Sequence, residues 1–154
     1  MRVLHIDTEK GFRGGQGQVM ALMRGLRGER VEQALAARRG APLGELAREE
    51  GFTVYDMAPL PPWAPGAALP LRRALAREQP TLLHAHSAHA HTLALAVAPR
   101  ETPIVVTRRV DFPVKDRAKY TDERVHWIAI SLGVAEVLVA GGVSPTEIDV
   151  VPSG

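Results

Sequence analysis

Hydrophobic positions along this chain follow two alternating patterns. Short apolar runs predict buried strands, and longer segments with apolar residues at every third or fourth position predict helices. The first strand spans residues 2–6, and the apolar face of the first helix is formed by Val19, Leu22, Met23 and Leu26. The same alternation predicts strands at 31–37, 52–57, 81–85, 104–107, 125–130 and 148–151, and helices at 42–50, 71–79, 88–98 and 132–140.

Alternating strands and helices favour a parallel sheet, because each crossover helix then covers one face of it. We therefore predict an α/β fold, a single domain with a doubly wound, Rossmann-like open parallel sheet of about seven strands. Ligands bind beyond the carboxyl ends of the strands in such sheets. The segments that follow the strands are 11–18, 38–39, 84–91, 107–111 and 131–133.

The composition of the chain excludes a few classes of function. The chain has 154 residues, enough for one domain with a real core, and a net charge of +2, so we expect no nucleic-acid partner. It has no cysteine, which excludes disulfides and thiolate metal sites. Its N-terminus lacks the pattern of a signal peptide, and no apolar run is long enough to span a membrane. The expected location is the cytoplasm.

The connection between the first strand and the first helix contains four glycines within seven residues, namely Gly11, Gly14, Gly15 and Gly17. Glycine lets backbone amides approach a ligand closely, and a helix N-terminus presents free N–H groups with a partial positive charge. We expect Gly14, Gly15 and Gln16 to contact a phosphate or a sugar, with the helix beginning at about residues 15–18. A simple tight turn is the alternative.

Two common catalytic motifs are incomplete. A dinucleotide site needs G-x-G-x-x-G against the first strand, and here the spacing fails at Met20, although Arg38 and Arg39 would suit the 2′-phosphate of NADP. A serine hydrolase needs G-x-S-x-G, and Ser131 lacks those glycines. We predict that Ser131 is instead the N-cap of the helix that follows it.

Histidine is concentrated in one segment, where residues 84–91 contain four. His84 and His86 share one face of a strand end, so together they could ligate a metal. A metal-dependent hydrolase would need further ligands at other strand ends, and only Asp111 and His126 are available. We therefore expect no bound metal, and histidines that line a polar pocket or pack against the next helix.

A basic stretch follows the fifth strand, and it contains Arg108, Arg109, Lys115, Arg117 and Lys119 beside Phe112. Such a stretch is usually a solvated surface. It is also suited to contact an anionic acceptor or the headgroups of a membrane leaflet. Peripheral contact with the inner membrane surface therefore stays open.

Four segments carry a resemblance to a known family: FRGGQGQ at 12–18, LHAHSAHA at 83–90, VTRRVDF at 106–112, and IAISLGV at 128–134 leading to IDVVPSG at 148–154. Together they resemble the N-terminal domain of retaining GT-B glycosyltransferases, the group 1 family that is also called family 4. The resemblance spans the whole chain, and the ending is its most specific part.

The resemblance implies transfer of a sugar from a nucleotide-sugar donor to a glycan or lipid-linked acceptor, with retention and without a catalytic metal or another cofactor. It implies that residues 1–154 form the N-terminal, acceptor-side domain, that a C-terminal domain binds the donor, and that Gly14 and Gly15 approach the donor diphosphate. No catalytic residue is assigned. The expected acceptor or pocket contacts are His84, His86, His89, Arg108, Arg109, Asp111 and Ser131.

The chain departs from the family pattern in two places. Many members have a histidine after the threonine of the fifth strand, where this chain has Arg108 and Arg109. The acidic and basic motifs of the donor-binding domain are absent, so we expect residues 1–154 to fold but not to transfer sugar alone. A non-catalytic glycan- or lipid-binding module is the alternative function, ahead of an NADP-binding or metal-hydrolase domain.

Overall fold

The computed structural model describes residues 1–153; Gly154, the last residue of the family-like ending, lies outside the described residues. The strands are β1 (Arg2–Asp7), β2 (Glu32–Arg38), β3 (Thr53–Met57), β4 (Leu82–Ala85), β5 (Ile104–Arg108), β6 (Val125–Ala129) and β7 (Ile148–Val150). The helices are α1 (Gly14–Leu26), α2 (Pro42–Glu49), α3 (Leu69–Glu78), α4 (Ala88–Val97), α5 (Arg117–Tyr120) and α6 (Leu132–Ala140), with a 3-10 turn at Pro145–Glu147.

All seven strands form one parallel sheet in the order β3-β2-β1-β4-β5-β6-β7. The sequence reverses direction across the sheet between β1 and β4, which makes this pair the switch point where such folds bind ligands. The predicted doubly wound, open parallel sheet of a single domain is confirmed.

One helix start differs from the sequence-based prediction by two residues, and one short helix was not predicted. Helix α3 begins at Leu69 rather than at residue 71, because Pro70 falls in its first turn, where a missing N–H costs nothing. The polar connection at 108–123 contains the short helix α5, whose N-cap Asp116 accepts a hydrogen bond from the Lys119 amide. A four-residue helix has too few positions to show an apolar period.

The two faces of the sheet carry separate hydrophobic cores. Helices α1 and α2 pack over β1–β3 through a small core that contains Val19, Met23, Leu35 and Leu43. A larger core on the opposite face joins α3, α4 and α6 to the sheet, and Trp127 is its largest fully buried side chain. This layering buries one hydrophobic core on each face of the sheet within residues 1–153.

One part of the α1 face is less well covered. Leu82, Val105 and Ile128 on β4–β6 are only half-buried, and they line a groove of about 630 Å³ beside α1. Within residues 1–153, none of the helices has the length and apolar character required to cross a bilayer.

Candidate functional site

Helix α1 begins at Gly14, one residue before the predicted range. In the described part of the chain, the first backbone hydrogen bond of this helix runs from the Gly17 amide to the Arg13 carbonyl at 3.0 Å. The amides of Gly14, Gly15 and Gln16 therefore precede that bond and are the free donors of a helix N-terminus. Gly14 is exposed and Gly15 is half-buried, so both can be reached by a ligand at the carboxyl edge of the sheet.

A buried carboxylate holds this helix start in place. Asp7, the last residue of β1, accepts the Glu9 amide at 2.8 Å and the Gln16 side-chain amide at 3.1 Å. The Gln16 side-chain oxygen in turn accepts the Arg13 amide at 3.1 Å, which caps the helix. Burial raises the pKa of Asp7, while its hydrogen bonds to the Glu9 amide and Gln16 oppose that shift. Asp7 was not among the expected site residues.

Arg109 lies directly beside the glycine loop. Its Nε donates to Gln18 at 2.9 Å and its Nη1 donates to the His86 carbonyl at 2.8 Å. A Cβ added to Gly15 would lie 3.4 Å from Cδ of Arg109, so the arginine side chain closes over that glycine. Burial lowers the pKa of Arg109, which nonetheless keeps its charge because guanidinium groups stay protonated in proteins. The free amides and this guanidinium together form a candidate anion-binding site.

Arg108 lies on the opposite face of β5, since neighbouring strand residues alternate between faces. Its guanidinium donates to the Tyr120 hydroxyl and to the Phe112 carbonyl, and its Cζ lies 5.2 Å from the Tyr120 ring centroid. Only 8% of Arg108 is exposed. The two neighbouring arginines therefore occupy different surroundings, one against α1 and the other against α5.

Three buried histidines lie at the switch point of the sheet. His5 on β1 is directly opposite His84 on β4, and His86 follows one residue after β4 on the same face. The ring centroids of His84 and His86 are 4.0 Å apart, and that of His5 lies within 5.5 Å of both. The predicted shared face of His84 and His86 is confirmed. His5 joins them because the strand order makes β1 and β4 neighbours, which the sequence alone does not reveal.

The hydrogen bonds of this cluster determine which ring nitrogens of His5 and His86 carry a proton. The Gln33 amide nitrogen donates to the Met23 carbonyl at 3.1 Å, so its oxygen faces Nε2 of His5 at 3.2 Å and that nitrogen carries the proton. Nδ1 of His5 must then accept from Nε2 of His86, which lies 3.1 Å away. Burial lowers the pKa of His5 to about 4 and that of His84 to about 3, and it lowers the pKa of His86 well below its ordinary value. All three rings are neutral at pH about 7.

The cluster bears on the expectation that no metal is bound. One ring nitrogen from each of His5, His84 and His86 lies within 4.8 Å of the others, so the structure adds His5 as a third side chain of metal-ligating type. Nδ1 of His5 and Nε2 of His86 are already hydrogen-bonded to each other. The Arg109 charge, which lowers the pKa of His84 and His86, would also repel a cation.

We therefore still predict that purified protein contains no stoichiometric metal. The facing nitrogens bond to each other, and a positive charge borders the cluster. Elemental analysis after dialysis should find well below one transition-metal ion per chain. About one zinc ion per chain that only a strong chelator removes would reverse this prediction.

The remaining expected site residues do not join the histidine cluster. His89 is exposed on α4, Asp111 is exposed in the loop after β5, and Ser131 is exposed at the start of α6. Ser131 accepts the Val134 amide at 3.2 Å, so its predicted N-cap role is confirmed. His91 is buried on α4 with its ring edge-on to those of Tyr120 and Trp127.

Comparisons with known proteins identify the family through one family model and the fold through solved structures. The family model for Glycosyltransferase Family 4 matches residues 12–154. No curated protein sequence matches the chain.

Among solved structures, the chain is similar to Anabaena Alr3699/HepE in complex with UDP-glucose, with 14% identity, a TM-score of 0.79, and coverage of 100% of this chain and 44% of that one. It is similar to a glycosyltransferase from Rickettsia africae ESF-5, with 15% identity, a TM-score of 0.82, and coverage of 99% and 43%. MurG of Acinetobacter baumannii gives 10% identity, a TM-score of 0.68, and coverage of 100% and 46%. The chain thus spans less than half the length of these structural neighbours, and identities this low show the shared fold.

Proposed function

The chain belongs to glycosyltransferase family 4, and we propose that it is the N-terminal, acceptor-side part of a two-domain GT-B enzyme. This enzyme transfers a sugar from a nucleotide-sugar donor to a glycan or lipid-linked acceptor, with retention of configuration. The coverage of 43% to 46% of the structural neighbours supports a second, donor-binding domain outside residues 1–154.

The anion-binding site at the start of α1 carries this proposal. The amides of Gly14 and Gly15 and the guanidinium of Arg109 lie together at the carboxyl edge of the sheet. Sugar transfer from a nucleotide-sugar leaves a nucleoside diphosphate, and donors that are already in place stabilise the charge that develops on it. Asp7 and Gln16 hold the amides in position before the ligand arrives.

The chemistry of the donor has support from a structural neighbour. Anabaena Alr3699/HepE was crystallised with UDP-glucose and with UDP, and part of its fold matches the full length of the present chain. We extend only the class of ligand to the present chain, a nucleoside diphosphate linked to a sugar. The neutral histidines beneath Arg109 add polar groups without a competing positive charge at pH about 7.

Replacing Gly15 with valine should weaken binding of UDP about tenfold or more, as expected when a bulky side chain separates the amides and Arg109 from an anion. Stability should change little, because Gly15 has no positive φ and its new Cβ would meet Arg109 at an ordinary contact distance. Isothermal titration of residues 1–154 with UDP measures the first effect, and thermal melting measures the second.

Gly25→Ala is the matched control, since Gly25 lies in the same helix with open space around its Cβ position. It should leave UDP affinity unchanged. Equal UDP affinity of Gly15→Val and wild type would refute the role of the glycine loop.

For the location, we propose the cytoplasm, with peripheral contact at the inner membrane surface. Phe12 and Phe112 are both exposed in loops at the carboxyl edge of the sheet, and Lys115 follows close by. Aromatic side chains beside cations suit the interface of an anionic leaflet. Vesicles with anionic lipid should bind the chain more tightly at low salt than at high salt, and Phe112→Ser should weaken that binding. Binding that is equal for neutral and anionic vesicles would contradict this contact.

A further inference from the structure

We propose that the acceptor carries an anionic group, a phosphate or a carboxylate, and that Arg108 binds it at a second anion site. This inference rests on the proposed function in one respect, namely that the glycine loop and Arg109 are occupied by the donor diphosphate. The site itself is defined by Arg108, Tyr120 and the surrounding wall of a cavity of about 330 Å³.

The charges around this cavity are unbalanced. Its lining includes Arg13, Arg108 and Arg109 but only one carboxylate, that of the exposed Glu9. Within residues 1–153, no side-chain carboxylate lies within 4.0 Å of the guanidinium groups of Arg108 and Arg109. The arginines that do pair with acids lie elsewhere on the surface, as in Arg24–Glu50, Arg48–Asp56 and Arg124–Asp122.

Arg108 is thus buried, and Arg109 half-buried, without a carboxylate partner at salt-bridge distance in the described part of the chain. Burial of a charged group is costly unless an opposite charge or strong hydrogen bonds compensate it. Arg108 has only neutral protein acceptors, the Tyr120 hydroxyl and the Phe112 carbonyl. A ligand that brings a negative charge into the cavity would supply the compensation that the protein does not.

One donor diphosphate leaves Arg108 without a counter-charge. Arg109 is tied to Gln18 of α1 and to the His86 carbonyl, so it points toward the glycine loop. Arg108 is tied to Tyr120 and Phe112 on the other side of β5. An anion bound by the glycine-loop amides and Arg109 therefore lies on the α1 side of β5, and Arg108 remains for the second substrate.

The side chains of the second site are held in place by aromatic packing. The Tyr120 ring stacks on Trp127 with centroids 4.7 Å apart and an angle of 7° between the planes, and the Arg108 guanidinium lies near that ring. A guanidinium whose position is already fixed loses little freedom when it binds an anion. Nε of Arg108 and Nε2 of His91 are buried in the same wall without a protein partner in the described part of the chain. These two nitrogens are available to hydrogen-bond a ligand in the cavity.

The test compares two anionic sugars with a neutral one on residues 1–154. Glucose 6-phosphate and glucuronate probe the phosphate and carboxylate forms of the proposed group, glucose is the neutral reference, and UDP probes the donor site. Chemical-shift titration by NMR measures each dissociation constant. We expect at least one anionic sugar to bind about tenfold or more tightly than glucose, and the tighter of the two identifies the acceptor group.

Variants of the two arginines separate the two sites. Arg108→Gln should weaken the anionic sugar about tenfold and change UDP affinity less than about twofold, and Arg109→Gln should do the reverse. Arg73→Gln, which removes one charge from an exposed position on α3, should change neither. If Arg108→Gln does not fold, Tyr120→Phe removes only the hydroxyl that positions the guanidinium, and it should weaken the anionic sugar several-fold.

The outcomes that overturn the second site are distinct from those that overturn the proposed function. Equal binding of glucose and both anionic sugars, or no sugar binding at all, would eliminate the anionic acceptor, as would an Arg108→Gln variant that folds and binds the anionic sugar normally. If UDP fails to bind while Arg108 still selects an anionic sugar, the donor role of the glycine loop fails and the second site remains.

Discussion

Acidification from pH about 7.5 to about 5 should remove most of the stability of residues 1–154. Four histidines are buried in a neutral state: burial lowers the pKa of His5 to about 4, lowers those of His84 and His91 to about 3, and lowers that of His86 well below its ordinary value. In the unfolded chain each of these pKa values returns to 6.5. The unfolded state therefore binds more protons at every pH between these values.

The sign of the effect follows from that difference. Stability falls with decreasing pH wherever the unfolded state binds more protons, so the loss begins near the unfolded pKa of 6.5 and continues toward the folded values. Between neutral pH and pH about 5, each histidine that stays neutral in the folded state lowers the free energy of unfolding by roughly 2 kcal/mol. Four such groups are comparable with the whole stability of a domain, about 5–15 kcal/mol. Asp7 acts in the opposite direction, because its raised pKa makes its ionised form unfavourable in the folded state.

Urea denaturation at several pH values measures this dependence. His91→Gln should remove about a quarter of the pH-dependent loss, because one of the four titrating groups is gone. His89→Gln is the control from the same helix, and since His89 is exposed it should leave the slope unchanged. A free energy of unfolding that is flat from pH about 7.5 to about 5 would contradict the neutral buried cluster.

The fold could be predicted from the sequence because the apolar pattern of each segment agrees with its place in the sheet or in a covering helix. Every strand in the sheet was visible as an apolar run such as 104–107 or 125–130, and the helices between them carried proline, glycine or serine at their ends. Ser131 shows how local such a signal can be, since its capping bond reaches only three residues along the chain. Helix α5 was missed because its four residues are stabilised mainly by the Asp116 cap and by neighbours elsewhere in the fold.

The site was only partly predictable, because its geometry depends on which strands are neighbours. The segments at the carboxyl ends of the strands were correctly placed on one edge by topology. The side of the sheet on which each residue lies decides the rest: it separates Arg109 from Arg108, and it unites His5 with His84 across two adjacent strands. Asp7 was overlooked for a related reason, since its role depends on the position of the Gln16 side chain.

A polypeptide of residues 1–154 should transfer no sugar, although it folds. The folded part of this prediction rests on the two hydrophobic cores, which pack helices against both faces of the sheet within the described residues. The inactive part concerns the donor. The charge that develops on the departing diphosphate must be stabilised on every side by positioned donors, and this chain supplies the Gly14 and Gly15 amides with Arg109 on one side only.

Water is the second reason for inactivity. A closed cleft keeps water away from the activated sugar, and an open edge of a single sheet cannot exclude it. Nucleotide-sugar binding should accordingly be weak in residues 1–154 and should tighten when a donor-binding domain is present. The decisive experiment incubates residues 1–154 with a panel of nucleotide sugars and candidate acceptors, beside the same residues joined to a donor-binding domain of the family. Turnover should be detectable only in the joined protein, and a comparable rate from residues 1–154 alone would refute the proposal that this chain forms one half of the active site.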